Sequence, residues 1–136
     1  MGEQQLLLII LGVIVIAIAI AVGITLFTDN ALHANRGAVT NDLVNLAARA
    51  QQFYRRPTVL DGGGNSFVGL TADAEGLGKL TNKPHNDNGV YTIQSAGTAT
   101  GVVIRGVGTE HVDETNLVTM DIYVFSGKAD SAVIVY

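Results

Sequence analysis

Residues 6–27 read LLLIILGVIVIAIAIAVGITLF, twenty-two positions without one charged side chain. As a helix at 1.5 Å per residue this stretch is ~33 Å long, enough to cross a bilayer core of ~30 Å. A core helix of a small soluble domain would carry a polar face, and this stretch has none. A strand is excluded by length, since strands usually run ~3–10 residues. Three readings compete for it. A secretory signal would have a basic leading region, a shorter apolar run and an Ala-x-Ala site, and those features are missing here. A plain transmembrane anchor fits the hydropathy. The third reading is a helix that begins in a membrane and ends in the core of a protein polymer.

The residues that follow separate the last two readings. Thr28, Asp29 and Asn30 lead directly into ALHANRGAVTNDLVNLAARAQQFYRRP. Leu32, Val39, Leu43, Leu46, Ala50 and Phe53 recur at helical spacing and lay one apolar stripe along a helix face. Arg36, Asn41, Asp42, Asn45, Arg49 and Gln52 occupy the other faces. Pro57 marks the stop, and Arg55 and Arg56 sit in the last turn, where positive charge favours the helix dipole. The expectation is one helix from about Glu3 to Arg56, ~80 Å long. Its first part, residues 1–30, is the hydrophobic part built around the uncharged run, and its second, residues 31–56, is amphipathic. A head built from the remaining residues has a radius near ~13 Å, so roughly half the helix must project. Gly12 and Gly23 are eleven residues apart and fall on nearly the same face. They are places for close helix approach or for bending, or ordinary small residues of a membrane helix.

From Pro57 onward the chain reads as β-rich. Val90–Gln94, Val102–Val107, Leu117–Phe125 and Ser131–Tyr136 are rich in Val, Ile, Thr and Tyr, and turn formers join them. Four consecutive strands with short links predict an antiparallel meander. Alternation sets Val118, Met120, Ile122 and Val124 on one face and Thr119, Asp121 and Tyr123 on the other. The first face packs on Leu43, Leu46, Ala50 and Phe53, leaving the other polar. Residues 57–89, with DGGGN at 61–65 and KPHNDNG at 83–89, are expected as surface loops with one short helix near Ala72–Leu80. The fold class is therefore α+β: a long N-terminal helix on a small C-terminal antiparallel sheet of about four strands, with a head spanning residues 31–136 and its sheet at 90–136.

Composition excludes several functions. The net charge of −4 disfavours a nucleic-acid binder. With no cysteine there is no disulfide scaffold, thiolate metal site or thiol nucleophile. Gly78-Lys79 lacks both the leading glycine and the Ser or Thr of a phosphate loop. Asp61 and Asp87 offer oxygen ligands but stand in no calcium-loop register, and turn chemistry accounts for them. His111, Asp113 and Glu114 share one hairpin and read as a solvated turn. Arg49, Arg55 and Arg56 form a small basic group that helix capping explains. No catalytic motif is present, so the expectation is a chain that is not an enzyme, with no catalytic residue, metal or cofactor.

An uncharged N-terminal helix preceded by Glu3, extended by an amphipathic half and capped by a small antiparallel sheet, resembles a type IV pilin. At residue level the likeness covers about Gly2–Phe27. It differs in having Gln at position 5, where the family places glutamate, and in lacking the paired cysteines and the helix-bending proline. The resemblance implies a structural subunit of an extracellular filament, held in the cytoplasmic membrane before assembly and then polymerised through its helix. It implies a prepilin peptidase that exposes a mature N-terminus, either Met1 itself or, with Gly2 as the last leader residue, the residue after it, and separate pilus assembly machinery as partners. It gives Glu3 the role of pairing with a neighbouring subunit's N-terminal amine, with Gly12 and Gly23 in the helix contacts. A pseudopilin or minor pilin, an archaeal flagellin-like subunit, and a single-pass anchored binding module stand as alternatives.

Overall fold

The computed structural model describes residues 2–130 and 132–136; Met1 lies outside them. One uninterrupted helix, α1, runs Gly2–Arg55 over 54 residues. A 3-10 turn at Thr58–Leu60 and a short helix, α2 (Ala74–Gly78), follow. The sheet comprises β1 (His85–Asn86), β2 (Gly89–Ser95), β3 (Gly101–His111), β4 (Leu117–Phe125) and β5 (Val133–Ile134). Its order is β1-β2-β3-β4-β5, antiparallel throughout. The architecture is α+β, as the sequence predicts.

The C-terminal half of α1 lies across one face of this meander. Val39, Leu43 and Ala50 are fully buried, with Leu46, Ala47 and Phe53 nearly so, and they share one core with Ile104, Val118, Met120, Ile122 and Val124. Burial alternates strictly along β3, where Val102, Ile104, Gly106 and Gly108 face the helix. The two glycines that end this row let α1 approach β3 closely there. A Cβ on Gly108 would sit 2.1 Å from Asn35 Oδ1, and one on Gly106 would sit 2.8 Å from Val39 Cγ1. The space freed at Gly108 is used by Asn35, a buried polar residue on the apolar stripe. Its Oδ1 accepts from the Thr109 and Glu110 amides, and its Nδ2 donates to the Asn88 carbonyl. Those bonds satisfy the strand where the β3–β4 register shifts between Val107 and His111.

Three expectations need correction. The sheet has five strands, because the KPHNDNG segment forms β1 and turns through Asn86–Gly89 into β2 rather than staying a loop. Residues 57–89 are not simply a surface connection either. Phe67 and Leu70 are fully buried, and Leu77 and Leu80 nearly so, closing the upper end of the core beside Phe53. The glycine run is what allows this return: the Gly63, Gly64 and Asn65 amides donate to the Phe53, Arg56 and Tyr54 carbonyls, satisfying the last turn of α1. The outer sheet face is less open than alternation predicts. Thr119 and Asp121 are buried. The C-terminal residues 135–136 pair with Thr119 through the backbone, and Arg105 grips Asp121 with two bonds of 2.7 Å.

Candidate assembly surface

Among the described residues, the large apolar side chains of Leu6–Phe27 all lie outside the core of the head. From Leu6 to Phe27, sixteen large apolar side chains are 50–77% exposed. Burying even one large apolar side chain is worth ~1.5–3 kcal/mol, so the set represents something on the order of 20 kcal/mol. That exceeds the ~5–15 kcal/mol that typically holds a domain folded. The segment is long and apolar enough to cross a membrane. The one polar side chain between Leu6 and Phe27, Thr25, donates from Oγ1 to the Ala21 carbonyl at 3.0 Å, and Thr28 just beyond donates to the Ile24 carbonyl at 2.6 Å. Such back-bonding suits a surface that meets only apolar neighbours.

Glu3, in the first turn of α1, belongs to the same projecting segment. Gly12 and Gly23 have open space where a Cβ would be, so neither is required by packing inside the subunit. Helical geometry puts these two glycines on nearly one face. Glu3 is nine residues before Gly12, about two and a half turns, and therefore points to the opposite side. The helix thus brings Gly12 and Gly23 together but not Glu3 with them. Leu43, Leu46, Ala50 and Phe53 lie in the head core, away from this surface.

A polar junction ties the head to the helix above Asn35. Asp42 Oδ2 accepts hydrogen bonds from Tyr91 Oη at 2.6 Å, Asn88 Nδ2 at 2.8 Å and Asn86 Nδ2 at 2.9 Å. Burial alone would raise the Asp42 pKa, but the bonds from Asn88, Tyr91 and Asn86 together hold it below its ordinary value. Burial and the same carboxylate push the Tyr91 phenol up. Asn86 Oδ1 also accepts from the Asn88 and Gly89 amides, which shapes the β1–β2 turn. In the sequence Asp42 stands only on a polar helix face. The turn-forming Asn-Asp-Asn-Gly was the available signal, although nothing in it names a helix carboxylate as partner.

Beside Asp42 an open groove of about 750 Å³ runs between α1 and residues 78–86, with Arg49, Lys79 and Lys83 on its walls. Arg49 Nη1 donates to the Leu80 carbonyl at 3.0 Å, fixing the far wall to the helix. On the outer side of the head, Asp113 is consumed by its own turn. Its carboxylate accepts from the Thr115 and Asn116 amides and from both side chains, and these bonds, that of Asn116 first, pull its pKa well down. Arg36 Nε is buried without a partner among the described residues. Among those residues no group of three or more His, Asp or Glu is arranged to hold a metal ion. Compared with known proteins, the chain matches no protein-family model, no curated protein and no solved structure.

Proposed function

We propose that the chain is the structural subunit of an extracellular filament of the type IV pilus kind, polymerising through residues 6–27. The observation that carries the reading is the continuity of α1. The same unbroken helix is packed into the head core at Val39–Phe53 and leaves its large apolar side chains exposed at Leu6–Phe27. A membrane-anchored binding module needs only a span and a tether, and a tether would decouple the head from the membrane. Here the head is rigidly coupled to the apolar rod, which is what a polymer needs for the heads to follow the register of the helices. Before assembly the rod sits in the membrane; in the filament the rods pack on one another, and Leu, Ile, Val and Ala suit both settings. The contact is heterologous, so it propagates as a helix instead of closing. A prepilin peptidase and a membrane assembly machine are the partners this reading requires, and the filament surface is its final location.

Shearing of expressing cells, electron microscopy of the released fraction and mass spectrometry of the same sample test the reading. Thin uniform fibres made mostly of this chain support it. A protein that stays with the membrane and yields no fibres refutes it in favour of an anchored module or pseudopilin. In the same assay Glu3→Ala, which removes the proposed partner of a neighbour's N-terminal amine, is expected to abolish fibres while the subunit remains in the membrane. Normal fibres from that variant would remove Glu3 from the assembly role.

A further inference from the structure

The head carries its charge unevenly. Five of the eight Lys and Arg residues, namely Arg49, Arg55, Arg56, Lys79 and Lys83, lie in the last two turns of α1, directly after it, or on the groove wall facing it. Arg49, Lys79 and Lys83 line the groove, and none of the three makes an ion pair within the subunit among the described residues. Asp42 also lines this groove, but its Oδ2 is occupied by three donors. This unpaired positive strip is unusual in a chain of net charge −4.

The opposite charge sits at the other end of the head. The end of β3 carries Glu110 and the β3–β4 turn that follows carries Asp113 and Glu114, and no Lys or Arg falls between Gly106 and Gly127. This turn is built rigidly: four hydrogen bonds to one Asp113 oxygen fix residues 113–116. Asp113 is therefore spent on the turn, and Glu110 and Glu114 carry the charge outward. A preordered turn loses little entropy on docking. The Glu110 amide bonds Asn35, so the turn lies beside that level of α1 and below. On α1 the groove is lined from Asp42 to Gln52, seven to seventeen residues further along the helix than Asn35. The two surfaces are thus offset by about 20 Å along the rod axis.

We propose that the Arg49/Lys79/Lys83 groove seats the acidic β3–β4 turn of a second copy of this chain, displaced along the filament by about that offset. The proposal rests on the filament reading and deepens it by naming the contact between heads. One subunit cannot satisfy both surfaces by itself, because turn and groove lie at different heights on the same rod. A staggered neighbour brings them together, and the pairing is heterologous as a helical polymer requires. Complementary patches of this kind fix register and reject wrong alignments more than they add affinity.

The chain has no cysteine, so engineered pairs report without background. The full-length chain carrying Lys83→Cys and Glu114→Cys, both at exposed positions, is expressed, sheared and mildly oxidised. The expected result is a ladder of disulfide-linked multimers on a non-reducing gel, with each single variant giving none. Fibres of wild-type appearance without a ladder overturn the groove contact and leave the filament reading standing, with the groove then open to another occupant. Absence of fibres from the wild-type chain overturns the filament reading, and this contact with it. Charge reversal gives a second readout if the cysteine pair assembles poorly. Lys79→Glu with Lys83→Glu, or Glu110→Lys with Glu114→Lys, is expected to lower fibre yield about tenfold or more through like-charge contacts, and combining all four is expected to restore it. Equal loss in the combination would contradict the pairing.

Discussion

Asp42 Oδ2 accepts from Tyr91, Asn88 and Asn86 at once, so Asp42→Ala strands three donors, two of them on the turn that positions β1. An unsatisfied donor in a partly buried site costs about 1–3 kcal/mol, and a loss in that range is expected in the thermal unfolding of the full chain in detergent. The folded-state pKa of Asp42 is lowered, so folding favours its ionised form. Its contribution is complete above the ordinary Asp value of about 4 and is lost as pH falls through the lower folded value. Asp42→Asn should therefore be less stable than wild type at neutral pH, and the difference should narrow as pH drops below about 4. Asp73 and Asp113 are shifted in the same direction, so the variant should keep part of the acid sensitivity. A constant gap across the acid range would remove Asp42 from this role. Neither Asp42 nor Asn35 is legible as a tether in the sequence. Asn35 does occupy the stripe position four residues before Val39, and a polar residue there is the trace of its buried contact with β3.

At the scale of elements, the glycines divide into two groups that behave differently. Gly108 lets α1 approach β3, and a Cβ there meets Asn35 Oδ1 at 2.1 Å. Gly108→Ala is expected to cost about 1–3 kcal/mol in the same unfolding measurement, as overpacking does. Gly12 and Gly23 meet nothing within 4 Å, so alanine at either is expected not to destabilise the subunit, and by helix propensity to stabilise it by up to about 1 kcal/mol. Any defect that appears only in the fibre assay then reports contact between subunits. Destabilisation of the isolated subunit by Gly12→Ala would contradict an intersubunit role. The long elements were readable because their patterns are long. The apolar run, the stripe from Leu32 to Phe53 and the alternation of β4 each extend over many residues. β1 was missed because two residues carry no periodicity. The burial of Phe67 and Leu70 was missed because isolated apolar residues among glycines have no spacing to read; their place is set by the return of residues 61–65 onto the end of α1.

On the scale of the whole molecule, the subunit is a rod joined without a break to a head. The head closes its own core, while the rod leaves sixteen large apolar side chains open. A free-energy term on the order of 20 kcal/mol favours covering this surface, and under the proposed function lipid covers it before assembly and other rods cover it afterwards. The account's central claim is that in the final state those neighbours are rods. The most direct measurement places a single cysteine at Ile16, mid-rod and 60% exposed in the subunit. Fibres sheared from cells and freed of lipid are then treated with a water-soluble maleimide. The account predicts negligible labelling in the intact fibre and full labelling after the fibre is dissociated in denaturing detergent. Rapid labelling of Ile16→Cys in the intact lipid-free particle would mean that the rods are not its core, and would contradict the account.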